Sequence, residues 1–201
     1  MNFVAHLFLS PPNDSFRVGS ILADFTMGTI ETLTETYGTD IARGIRHHRE
    51  VDRFTDTHDA VVHSVKALQT PFGLYGSIVV DVIFDHFLLT RWNDYARIRK
   101  DLFFASVYQS LSLPHPAYPP RFTATIDRIL ERRWLNTYEK LENVAYALMR
   151  IGERFNRPTP LKDALPGLQT HYAVLEQDFI RFFPDLQDFS EPLVETLLYE
   201  K

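Results

Sequence analysis

An all-α fold, one helical bundle over residues 1–201, is what this sequence predicts, on three observations. Apolar residues recur at helical spacing along most of the chain. Proline, glycine and capping residues punctuate it where those stripes end. The most apolar run, residues 74–90, is too long for a single strand, although its VVDVIF core taken alone has strand character. Residues 1–9 form a short apolar helix stopped by Pro11 and Pro12. Asp14 or Ser15 caps a second helix running to Phe25, with Val18, Ile21, Leu22 and Phe25 on one side. Thr39 or Asp40 begins a third, and Asp59 caps a fourth that ends before Thr70 and Pro71. After the buried helix at 74–90 come a polar helix at 94–111 and the connector PHPAYPP at 114–120. Helices at 121–134, 136–155 and 168–183 complete the series. The connector is the best internal boundary, yet it is short, and apolar helices on both sides of it favour one core.

Composition narrows the function. A chain of 201 residues with 45% hydrophobic content, sixteen Phe and nine Tyr can build a sizeable core. The net charge of -5 argues against broad nucleic-acid affinity. Cysteine is absent, so thiolate chemistry is excluded and any metal must be held by nitrogen and oxygen. MNFVAHLFLSPP lacks the basic segment of a signal peptide. With no run near the roughly 20 apolar residues of a membrane span, a soluble cytoplasmic protein is expected.

Charge inside the apolar runs carries the chemistry. In SIVVDVIFDHFLL, residues 77–89, Asp81, Asp85 and His86 interrupt a wholly apolar helix. An unpaired buried carboxylate costs several kcal/mol, so each needs a proton, a counter-ion or a metal. A buried ion-pair network is one reading, and a metal site is the other. Upstream, GIRHHREVDRFTDTH (44–58) brings His48, Asp52 and Asp56 at four-residue steps. Each step advances only about 40° around a helix, which places all three on one stripe. A solvated charged face competes with that reading, since Arg46, Arg49, Glu50 and Arg53 surround the stripe. His47 lies about 100° off it and is read as peripheral. His6 is either a core histidine or a ligand, and Asp24 either a turn-forming acid or a ligand. Arg49 either neutralises a phosphate or pairs with Asp52. Arg121, Arg128 and Arg132 fall on one strip of a helix, either solvated or a docking surface for an acidic partner; Arg97, Arg99 and Lys100 form a second basic cluster.

The ordered segments MNFVAHLFLS, GSILADF, GIRHHREVDRFTD, VVDVIFDHFL and THYAVLEQDFIRFFP resemble the bacterial acyl carrier protein phosphodiesterases, or holo-acyl-carrier-protein hydrolases, over nearly the full length. The resemblance implies a helical fold distantly related to the HD phosphohydrolases and dependence on a divalent metal, usually Mn2+, with Mg2+, Fe2+ or Co2+ as alternatives. It implies hydrolysis of holo-acyl carrier protein, the protein substrate, to apo-acyl carrier protein and 4'-phosphopantetheine. Carried onto this sequence, it suggests Asp24, His48, Asp85 and His86 as metal ligands. Asp52 and Asp81 would orient ligands or water, Arg49 would stabilise phosphoryl charge, and His6 and Asp56 would stand close by. Phe8 departs from the family pattern, which has histidine there, and the Asp85-His86 order reverses that of an HD pair. Two rivals remain: a phosphohydrolase of a nucleotide or small phosphoester, and a non-catalytic helical protein that binds a carrier protein or a metal.

Overall fold

A computed structural model describes residues 2–199; Met1, where the first helix was expected to start, lies outside them, as do Glu200 and Lys201. Regular structure is helical: α1 (Phe3–Leu9), α2 (Asp14–Leu22), α3 (Ile30–Tyr37), α4 (Thr39–Thr57), α5 (Asp59–Ala67), α6 (Gln69–Phe72), α7 (Gly76–Thr90), α8 (Trp92–Tyr95), α9 (Lys100–Leu111), α10 (Pro120–Arg132), α11 (Leu141–Gly152) and α12 (Leu165–Tyr199). Short 3-10 turns occur at Ala23–Phe25, Gly73–Tyr75, Trp134–Glu139 and Pro160–Asp163. No strand occurs among the described residues, and the fold is all-α.

Local chemistry sets the boundaries. Asn13, one residue before the expected cap, accepts a hydrogen bond from the Phe16 N–H and starts α2. The helix ends at Leu22 instead of Phe25, and its last turn tightens into the 3-10 turn that carries Asp24. α3 was not expected. Its Thr29 cap accepts from the Thr32 N–H, but Leu33 is its only fully buried side chain, so its apolar signal is thin. Gly38, at φ +88°, turns the chain directly from α3 into α4.

The α2–α4 contact is the closest approach that matters for the site. A Cβ on Gly19 would lie 2.1 Å from the Ile41 carbonyl oxygen, and one on Gly44 would lie 2.0 Å from that of Phe16. Only glycine at both positions lets the two backbones touch. The contact draws the end of α2, and with it Asp24, against the middle of α4.

α7 runs through the centre, with Val79, Val80, Val82, Ile83, Phe84, Phe87, Leu88 and Leu89 all buried. The continuous helical span Gln69–Thr90 is long and apolar enough to cross a membrane by length and composition, contrary to the expectation from sequence. In the fold, 67% of its most apolar 18 residues are buried, as befits the central helix of a bundle. α12 was expected to stop before Pro184, yet it continues through Pro184 and Pro192 to Tyr199. Both prolines sit on the exposed face, where water can satisfy the carbonyls they leave unpaired. The far half is tied down by Phe189 stacked on Phe54 at 4.5 Å, by Ser190 on His47 and by Asp185 on His58. Tertiary packing there outweighs the local cost of proline.

Candidate metal centre

Three parts of the chain bring nitrogen and oxygen ligands to one place. α1 contributes His6, the 3-10 turn after α2 contributes Asp24, and successive turns of α4 contribute His48 and Asp52. His48 Nε2 lies 3.0 Å from Asp52 Oδ2 and 3.3 Å from Asp24 Oδ1, and His6 Nε2 lies 3.1 Å from Asp52 Oδ1. The two imidazoles stack at 3.8 Å, 16° from parallel. Among the described residues, His6, His48 and Asp52 form a group able to hold a metal, with one ligand atom from each inside a 4.8 Å span. Both histidines are buried, while Asp24 and Asp52 reach the surface, so the cluster opens on its carboxylate side.

Electrostatics agree with this geometry. Burial alone would lower the His48 pKa, but hydrogen bonds to Asp24 and Asp52 outweigh it and raise the value to about 9. The imidazolium donates Nδ1–H to the Ser20 carbonyl at 2.6 Å. Its Nε2–H is shared by the two carboxylates. Burial pushes His6 down to about 4, helped by the neighbouring His48 charge, so His6 is neutral. Burial would raise Asp52, but hydrogen bonds from His48 and His6 hold its carboxyl well below the ordinary carboxylate range. The residues fit a divalent ion. A backbone carbonyl fixes Nδ1 of His48 and leaves Nε2 for the carboxylate pocket, which is how metal-binding histidines are held. Two carboxylates against one imidazolium also leave a net negative site that favours a cation. Two nitrogens and two oxygens without sulfur form a set compatible with several first-row metals.

The remaining residues singled out from sequence fall in different places. Asp85 is fully buried on the face of α7 that meets α1, and its oxygens accept from the Val4 and Ala5 N–H groups, each at 3.0 Å. His86 points elsewhere: Nδ1 donates to the Tyr138 carbonyl at 2.7 Å and Nε2 meets the Tyr172 hydroxyl at 3.0 Å. Asp81 neighbours the site, since after burial the charges of Asp52 and Asp56 help to push its carboxyl up. Asp56 is exposed one turn beyond Asp52. Arg49 donates to the Gly28 carbonyl at 2.9 Å and braces the loop that follows Asp24. Arg121, Arg128 and Arg132 are exposed on α10, while Phe122 on the buried side of the same helix meets Phe25 edge-on at 5.5 Å. His47, read as peripheral, is fully buried and pairs with Ser190 Oγ at 2.8 Å. Phe8 is two residues from His6, about 200° around α1, and packs on Trp92, Phe103 and Phe183.

The acyl carrier protein phosphodiesterase family model matches residues 1–186. The acyl carrier protein phosphodiesterase of Photorhabdus laumondii is 32% identical over 192 residues, covering 95% of this chain and 96% of that protein. The Yersinia pestis protein of the same name is 33% identical over 187 residues, covering 92% and 95%, and that of an Enterobacter species 32% identical over 188 residues, covering 92% and 94%. No solved structure matches the chain. With the match running from α1 into α12 and taking in every residue of the cluster, the chain belongs to the acyl carrier protein phosphodiesterase family, a family of phosphodiester hydrolases.

Proposed function

We propose that this protein, acting as a single domain, uses a divalent metal to hydrolyse the phosphodiester joining 4'-phosphopantetheine to the serine of holo-acyl carrier protein. Membership of the family supports the substrate. The observation that carries the chemistry is the convergence of His6, Asp24, His48 and Asp52. These four are the proposed ligands, in place of a set containing Asp85 and His86, whose polar atoms are engaged with other groups. The distant kinship with HD phosphohydrolases belongs to the same proposal.

A bound divalent cation supplies Lewis-acid stabilisation of phosphoryl charge and activation of water. The Ser20 carbonyl holds His48 in one ring orientation. Asp52, shared by both histidines, keeps their Nε2 atoms facing one point. Asp24 lies on the open side, where a phosphodiester can approach. Arg49 steadies the Asp24 loop and presents positive charge to the same rim. The exposed arginines of α10 offer a landing surface for an acidic carrier, which a protein of net charge -5 needs locally.

The test is to strip the protein with a chelator, incubate it with holo-acyl carrier protein with and without Mn2+, and weigh the carrier intact. Apo-carrier protein should appear only with the added cation. Full turnover after verified metal removal would refute the mechanism, and turnover of small phosphoesters with the carrier left untouched would refute the substrate.

A further inference from the structure

α1 depends on support from outside itself. It has seven residues, its N-cap Asn2 makes no side-chain cap bond, and its first turn contains no acid. Its first amides would lack partners from within so short a helix. The helical bond from the His6 N–H to the Asn2 carbonyl is long, at 3.4 Å. Asp85 makes good the deficit from 80 residues away, with one carboxylate oxygen on each of two successive amides. The second of those belongs to Ala5, the residue before His6. At the other end, Ser10 Oγ donates to the His6 carbonyl at 2.8 Å, so the backbone of His6 is gripped on both sides. The side chain it carries must hold Nε2 within reach of Asp52 while stacking on His48.

We infer that Asp85 is a positioning residue: by capping α1 through the Val4 and Ala5 amides it sets the height and rotation of His6 in the metal cluster, and it acts on the metal only through His6. Among the described residues, the hydrogen bonds of Asp85 go to backbone amides and not to His6, Asp24, His48 or Asp52, so the effect travels along a rigid helical turn. The inference rests on the metal reading of the cluster and specifies how one ligand is held.

A double-mutant cycle in Mn2+ affinity tests it, read by calorimetric titration of the full chain and needing no turnover. Asp85→Asn, which loses one of two acceptors, should weaken Mn2+ binding about 10–100-fold, as does loss of other groups that orient a ligand. His6→Ala should weaken it as well. In the His6→Ala background Asp85→Asn should add less than about twofold, because the route is already cut. Unchanged affinity in Asp85→Asn, or the full loss reappearing without His6, overturns the inference while leaving the metal site standing. A wild-type chain that binds no Mn2+ overturns the metal reading and this inference with it. Should circular dichroism show Asp85→Asn unfolded, Asp85→Glu takes its place in the cycle: it keeps the charge but is one methylene too long, and the same pattern is expected. If neither variant folds, Asp85 supports the whole bundle and the inference fails.

Discussion

Gly44→Ala probes the link between helix packing and the cluster of His6, Asp24, His48 and Asp52. The added methyl would sit 2.0 Å from the Phe16 carbonyl oxygen, against about 3.4 Å for ordinary contact, and the obstacle is backbone that cannot rotate away. α2 and α4 must therefore separate by about 1.4 Å. Carried to the site one turn later, that displacement stretches the His48 Nδ1 to Ser20 O hydrogen bond from 2.6 Å to about 4 Å, beyond bonding range. Overpacking costs about 1–3 kcal/mol, and alanine returns about 1 kcal/mol of helix propensity. The net loss of up to about 2 kcal/mol lowers Tm by several degrees in a chain of this size. Function should suffer more, because a misplacement of about 1 Å costs roughly 100-fold in rate. Mn2+ titration, turnover of holo-carrier protein and thermal melts would be recorded together. Gly167→Ala is the control: its Cβ would meet a Phe72 ring carbon at 2.7 Å, on α12 and outside the cluster, and should cost stability without metal affinity. Wild-type metal affinity and turnover in Gly44→Ala would refute the idea that this glycine contact builds the site.

In metal-free protein, His48 has a folded pKa of about 9 against 6.5 for an ordinary histidine, so its contribution to stability is complete below 6.5 and fades as pH rises through 9. Thermal melts in chelator should fall between pH 7 and 9 for the wild type and stay flatter for His48→Ala; equal slopes would refute the protonation assignment. His47→Ala removes the buried bond to Ser190 and should cost about 1–3 kcal/mol of stability while leaving kcat intact. His48→Ala, one residue along, should abolish turnover, and matching kinetics in the two variants would sink the assignment. Replacing Arg121, Arg128 and Arg132 by Glu should raise KM for holo-carrier protein and spare any hydrolysis of a small phosphodiester. Added salt should weaken the wild-type interaction with the carrier; unchanged carrier kinetics would move docking elsewhere.

The helical class was legible because apolar spacing and helix stops are local properties, and the His48 stripe was legible for the same reason. Which helix faces which is not local. Asp85 and His86 stand out in the α7 sequence as strongly as His48 does in α4, yet the three-dimensional packing turns Asp85 to the α1 amides and His86 to Tyr138 and Tyr172. His6 showed the converse difficulty: one imidazole in NFVAHLFL resembles a core residue until His48 is found stacked on it. The Gly19–Gly44 contact left no mark beyond two glycines lying 25 residues apart. α12 overran its expected end because the bonds that hold its far half come from α4 and from His58, the residue after it, which no local rule about proline includes.

The support of α1 by α7 also orders events in time. At synthesis rates of about 5–20 residues per second, the 80 residues between Ala5 and Asp85 take about 4–16 s to follow the first helix from the ribosome. Throughout that interval α1 lacks the carboxylate that seats it, and Asp24, His48 and Asp52 are all made before it ends. The seating of α1 therefore waits on α7, and a nascent chain stalled before α7 would carry three of the four cluster side chains with no seated His6 to complete them.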